Sequence, residues 1–182
     1  MKDRKQSIFS LILGYLAYFA MIFIIALLLV KFVGQRTIVH GTSMVPTLEN
    51  GDNLIADKLT YRFRDPERFE IIVFPYEYEE KTYYIKRIIG LPGETVYIDD
   101  DGNIWIDGEI LEENYGSEVI EYPGLAAEEI VLGDDEYFCL GDNRGVSKDS
   151  RYSDVGNIKR SEIIGRTVFK IWPLSGIGPI GR

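Results

Sequence analysis

The sequence predicts a mostly-β, antiparallel domain preceded by one N-terminal transmembrane α-helix. Three observations lead there: an uninterrupted apolar stretch near the N-terminus, a switch to short runs rich in Val, Ile, Tyr and Phe, and punctuation of those runs by Gly, Asp, Asn and Pro. With 182 residues, 46% of them apolar, there is room for about one sizeable core.

The first element is the stretch Ser7 to Val30, 24 residues without Asp, Glu, Lys, Arg or His. About 20 helical residues cross a hydrocarbon layer of roughly 30 Å, so an anchor helix over 7–33 can span with some tilt. A cleaved leader would have a shorter apolar run and a small-x-small site, whereas KFVGQRTIV follows directly. A buried core helix would show a polar face, and none interrupts this stretch. Residues 1–36 carry five basic groups against Asp3, a net of +4, which leaves −13 on the other 146 residues. Lys2, Arg4 and Lys5 precede the span while Lys31 and Arg36 follow it, a small bias toward a cytoplasmic N-terminus over residues 1–6. That orientation puts the acidic domain, residues 36–182, outside the cell membrane.

Strands are then expected at Arg36–Val39, Asn53–Lys58, Phe69–Phe74, Thr82–Ile89, Thr95–Ile98, Asn103–Ile106, Glu136–Leu140 and Ile163–Trp172. Asp100-Asp101-Gly102 joins two of them as a hairpin turn, because Asp-Gly tolerates positive φ. Asp and Glu crowd residues 99–132, and 95–135 reads as a small hairpin-and-loop subdomain inserted in the domain. A calcium loop fails there: with Gly102 as the sixth residue, the first and twelfth are Tyr97 and Gly108. Only Arg151–Ile164 has a partly helical pattern.

Composition narrows the chemistry. A net charge of −9 argues against nucleic acid as partner, since that needs a concentrated basic surface. One His and one Cys leave too few ligands for a Cys/His zinc site and no second thiol for a disulfide, and no metal or cofactor is expected.

In His40-Gly-Thr-Ser-Met-Val-Pro-Thr-Leu48 a hydroxyl sits between Gly and Pro just after a strand, where a turn exposes Ser43 and its N–H to a substrate oxygen. On this segment alone a plain turn serine fits better. Gly-x-Ser-x-Gly fails at Val45, and no Ser has Lys three residues later. His40 would point to the opposite face of an extended chain from Ser43. A lysine kept neutral by apolar surroundings is the remaining base, since burial lowers its pKa by up to roughly 3–5 units from about 10.4. In Tyr83-Tyr-Ile-Lys-Arg-Ile-Ile-Gly90 alternation puts Tyr84, Lys86 and Ile88 on one face. An edge-strand lysine with its head in water fits that segment equally well. Gly141 to Arg151 suits a buried network in which Asp142 and Asp149 pair with Arg144 and Arg151 while Ser147 orients an amine. Cys139 reads as a small core residue.

Four blocks in order behind an anchor, Gly41–Leu48, Gly51–Lys58, Tyr84–Glu94 and Gly141–Arg151, resemble the bacterial type I signal peptidases (peptidase family S26) of the short Gram-positive kind. The resemblance covers nearly the whole chain. It implies an antiparallel β-sheet catalytic domain of the signal-peptidase type, with Ser43 as nucleophile and Lys86 as general base. Ser147 matches the hydroxyl that orients the lysine, and Asp142, Arg144, Asp149 and Arg151 match its supporting network. The family's oxyanion hole uses the nucleophile's N–H, and where some members add a hydroxyl this chain has Gly41. Val39, Met44, Leu48, Tyr84 and Ile85 match the walls of shallow pockets for small residues. The implied substrates are signal peptides of exported preproteins, cut after Ala-x-Ala at the membrane. Two other readings stand beside this one: a self-cleaving Ser-Lys peptidase resembling phage repressors, which unrelated precursors would separate, and a silent anchored binding module, which an ordinary Lys86 pKa would favour.

Overall fold

The computed structural model describes residues 11–25, 34–76 and 82–181. Residues 11–25 form an α-helix whose side chains, Leu11, Phe19 and Ile25 among them, are all exposed. Among the described residues no helix is long and apolar enough to cross a membrane. The remainder of the 7–33 span, and the 1–6 leader, lie outside them.

The eight runs with β periodicity all form strands. They are β1 (Gly34–Ile38), β2 (Asn53–Asp57), β3 (Ile71–Pro75), β4 (Tyr83–Gly90), β5 (Thr95–Ile98), β6 (Ile104–Ile106), β9 (Glu136–Leu140) and β11 (Gly165–Trp172). Four two-residue strands complete the set: β7 (Glu109–Ile110), β8 (Ile130–Val131), β10 (Ile158–Lys159) and β12 (Gly178–Pro179). Two residues are too few for alternation to register in a sequence; pairing with a longer neighbour makes them strands. All ladders are antiparallel. One sheet runs β1-β2-β11-β3-β4-β9-β10 with β12 beside β11, and a smaller one runs β7-β6-β5-β8.

The partly helical expectation over Arg151–Ile164 is corrected. Backbone bonds from Val155 and Gly156 to Tyr152 O turn the chain, Ile158 pairs with Tyr137 of β9, and only Arg160–Glu162 makes a 3₁₀ turn. Tertiary pairing outweighs a weak local preference here.

β3 is buried on both faces, so it divides the core. Ile71 and Val73 pack with Val39, Met44, Leu48 and Ile85, whereas Ile72 and Phe74 pack with Ile88, Tyr137 and Cys139. The small sheet closes a third cluster, in which Val96 and Ile98 meet Ile89, Phe138 and Leu140. Its β5–β6 turn carries Gly102 at φ +82°, and Asp99 accepts bonds from Asn103 N (2.8 Å) and Trp105 Nε1 (2.7 Å).

Candidate active site

The turn after β1 delivers Ser43, and β4 delivers Lys86 from the opposite side. Lys86 Nζ lies 2.7 Å from Ser43 Oγ and 3.2 Å from Ile85 O. Lys86 is 3% exposed, with its amine 4.9 Å from the centre of the Tyr84 ring. Burial lowers its pKa to about 8, and this outweighs the pull of the Asp149 and Asp142 carboxylates, which favours the ammonium. Depression by burial beside a hydroxyl is what an amine base needs.

The Ser43 backbone N–H has no acceptor among the described residues, so it is free to meet a substrate oxygen. The neighbouring Lys148 is a poor base by comparison. Asp154 and the Tyr76 hydroxyl (3.0 Å) bond its ammonium and raise its pKa. Tyr76 stacks on Tyr84 with ring centres 4.5 Å apart, so this clamp backs the ring that shields Lys86.

Behind the pair lies a buried ionic network. Asp149 takes Arg151 Nε at 2.8 Å and Nη2 at 2.9 Å and also accepts the Gly141 N–H at 3.0 Å. Asp142 is held in bidentate fashion by Arg87, at 2.8 and 2.7 Å, and by the Thr47 hydroxyl at 2.5 Å. This corrects the expected Asp142–Arg144 pairing. Arg144 instead meets Glu113 at 2.8 Å and bonds Gly141 O at 3.1 Å. Arg87 follows Lys86, points to the other face of β4 and stacks 3.8 Å from the Tyr115 ring centre. The segment around Glu113 and Tyr115 is thereby strapped onto the network, with Ser117 N–H on Asp142 O at 2.9 Å. Ser147 is brought close, buried at 2% exposure, but its Oγ makes no hydrogen bond among the described residues.

An open pocket of about 260 Å³ leads to the pair, lined by Val39, Met44, Tyr84 and Ile85 together with Ser43 and Lys86. Leu48 is the exception among the residues expected there: it is fully buried in the core behind Met44 and does not line the pocket.

The signal peptidase, peptidase S26, family model matches residues 12–172. This chain belongs to that family. It is 39% identical over 160 residues to a probable signal peptidase I-2 of Synechocystis sp., covering 85% of this chain and 71% of the relative. It is 33% identical over 184 residues to signal peptidase I P of Bacillus subtilis subsp. natto, covering 97% of this chain and 95% of the relative. A crystal structure of a signal peptidase I from Enterococcus faecalis V583 is 35% identical, with a TM-score of 0.46 over 57% of this chain and 97% of that one. As a member of the family the chain is a serine endopeptidase with the mostly antiparallel β fold of signal peptidases.

Three contributors to this peptidase site escaped the sequence reading. Arg87 was legible only as an alternate-face residue of β4. Gly141 carries no side chain, and a Cβ there would overlap the Ser43 carbonyl oxygen and Ser147 Oγ. Asn143, inside the block that flagged Asp142 and Arg144, bonds the backbone on both sides of Ser43.

Proposed function

We propose that this chain is a membrane-bound signal peptidase that removes N-terminal signal peptides from exported preproteins after small residues of the Ala-x-Ala type. The observation that carries the proposal is the 2.7 Å approach of a buried lysine to the Ser43 hydroxyl in the pocket wall, whose own N–H has no acceptor among the described residues. With a pKa of about 8, about a tenth of Lys86 is neutral at pH 7, roughly two hundred times the fraction for an ordinary lysine.

In this mechanism the Lys86 lone pair takes the hydroxyl proton as Ser43 Oγ bonds to the scissile carbonyl carbon. The carbonyl electrons move onto oxygen, which the Ser43 N–H stabilises. Collapse breaks the C–N bond, and the Lys86 ammonium returns its proton to the leaving amine. A water then attacks the ester, Lys86 takes its proton, and that proton restores the Ser43 hydroxyl. In this reading Asp142, Arg144, Asp149 and Arg151 hold the geometry, and Ser147 turns its hydroxyl to the amine once substrate closes the pocket.

Substrate recognition follows from two free strand edges. Among the described residues β1 ends the large sheet, and β4 pairs with β9 only from Arg87 onward, so its Tyr83–Lys86 stretch has no strand on that side. Both edges border the pocket, which suits an extended peptide laid between them with alternate side chains inward. Val39, Met44, Tyr84 and Ile85 leave shallow apolar room, and bulk rejection at such walls favours Ala. The exposed apolar surface of residues 11–25 supports an anchor over 7–33, with residues 1–6 cytoplasmic and 36–182 extracytoplasmic. Tethering at the bilayer raises the effective concentration of membrane-held substrates.

The test is processing of a preprotein in detergent by Ser43→Ala and Lys86→Ala. Each is expected to lose at least about 10³-fold in rate. A wild-type rate in either variant removes the dyad.

A further inference from the structure

The Ser43 N–H belongs to the peptide unit whose carbonyl is Thr42 O. In a planar trans peptide the N–H and C=O point in opposite directions, so whatever holds the oxygen aims the hydrogen. Thr42 O accepts Asn143 Nδ2 at 3.2 Å and Val45 N–H at 3.2 Å. The next carbonyl, Ser43 O, accepts the Asn143 N–H at 3.0 Å. One residue therefore grips both peptide planes that flank the nucleophile. The Val45 bond lies within the same turn and moves with it. Asn143 comes from a different loop, after β9, and supplies an external reference.

That loop is itself fixed. Val146 and Ser147 N–H groups bond Asn143 O at 3.3 and 3.0 Å, and the preceding Asp142 is clamped by Arg87. Arg87 is the residue after Lys86 on β4, so a continuous path of bonds runs from the strand bearing the amine to the peptide bearing the free N–H.

We propose that Asn143 is a positioning residue for oxyanion stabilisation: its side-chain amide holds the Thr42 carbonyl and thereby aims the Ser43 N–H at the substrate oxygen. This rests on the reading of Ser43 as nucleophile. The Asn143 side chain makes no hydrogen bond to the amine among the described residues, and the bonds that shape its own loop use its backbone, so replacing the side chain loosens the donor without moving the base.

The experiment uses the full chain in detergent with an internally quenched signal-peptide substrate, comparing wild type, Asn143→Ala, Asn143→Asp and Ser43→Ala. Removing an oxyanion donor costs about 10²–10³ in kcat, so loosening one is expected to cost roughly 10–100-fold in Asn143→Ala. KM should stay within about twofold, and the pH midpoint of kcat/KM and the Tm should match wild type, since only transition-state contact is lost. Asn143→Asp should lose at least as much, because a carboxylate oxygen offers Thr42 O no proton. A kcat within about twofold of wild type in Asn143→Ala, beside an inactive Ser43→Ala, overturns this proposal alone. A loss that comes with a lowered Tm or a moved pH midpoint overturns it too, by making Asn143 structural. Cleavage persisting in Ser43→Ala removes the nucleophile assignment and this proposal with it.

Discussion

Replacing Lys86 with Met should abolish cleavage and make the protein more stable. Lys86 is 3% exposed and its pKa is lowered by burial from 10.5 to about 8. Below pH 8 both folded and unfolded chains carry the proton, so the full cost of burying the ammonium is present. Between 8 and 10.5 the unfolded chain binds more protons than the folded one, so stability rises with pH; above that range the cost is gone. At 1.36 kcal/mol per unit the penalty at neutral pH is about 3 kcal/mol. Met fills similar volume without a charge but gives up the bonds to Ser43 Oγ and Ile85 O, which contribute about 1 kcal/mol each. The expected net gain at pH 7 is therefore about 1–3 kcal/mol, or roughly 2–4 °C of Tm per kcal/mol. Urea titrations of both proteins at pH 7, 9 and 10.5 measure it, and the gap should fall by about 3 kcal/mol over that range, leaving wild type level or ahead by up to about 2 kcal/mol at the last. A Met variant no more stable than wild type at pH 7, or a gap that ignores pH, would mean the amine is not held down by burial, and the base assignment would lose its physical footing.

Three further outcomes follow from the same geometry. The acid limb of kcat/KM should have its midpoint near pH 8 and fall about tenfold per unit below it, because in the proposed mechanism the neutral amine is the active form. His40→Gln, which alters the only imidazole bordering the pocket, should leave that midpoint in place, and a moved midpoint would transfer the base role away from Lys86. Gly141→Ala would drive a Cβ into the Ser43 carbonyl oxygen and Ser147 Oγ, displacing the turn that carries Ser43. A shift of about 1 Å costs on the order of 10²-fold, so kcat should fall roughly 10–100-fold in a steady-state assay. Wild-type turnover would show that the turn accommodates the methyl without moving Ser43.

β3, β4 and β9 are buried on nearly every position and were legible as short apolar runs between turn residues, while β5, β6 and the first half of β11 show the in-and-out alternation of a strand. The same alternation placed Lys86 beside Tyr84, since a pleated strand leaves that pair no other arrangement. What the pattern does not carry is contact between distant segments. The Arg87–Asp142 pair joins residues 55 apart, and Asn143 reaches Thr42 across 101. Nearby charges in the sequence suggested Arg144 as the partner of Asp142, yet the fold turns Arg144 toward Glu113, which composition had marked only as part of a solvated acidic tract. Leu48 illustrates the converse. Its match to the family's pocket positions suggested a pocket wall, but the turn carries it inward to fill the core beneath one.

The overall acidity of the chain makes a neutral amine harder to keep, not easier. A net charge of −9 favours protonation of any lysine, and the two carboxylates that act on Lys86 are themselves buried where screening is weak. Each carboxylate has its own buried guanidinium at 2.7–2.9 Å: Arg87 on Asp142, and Arg151 on Asp149. At Lys86 the field of a compact ion pair falls off faster than that of a bare charge, so desolvation is left as the dominant influence. The arginines thus do more than hold the fold together. They weaken at the amine the counter-charge that favours its protonation, and they do so without drawing the carboxylates away from the backbone they anchor, since Asp149 still receives the Gly141 N–H beside the Ser43 carbonyl.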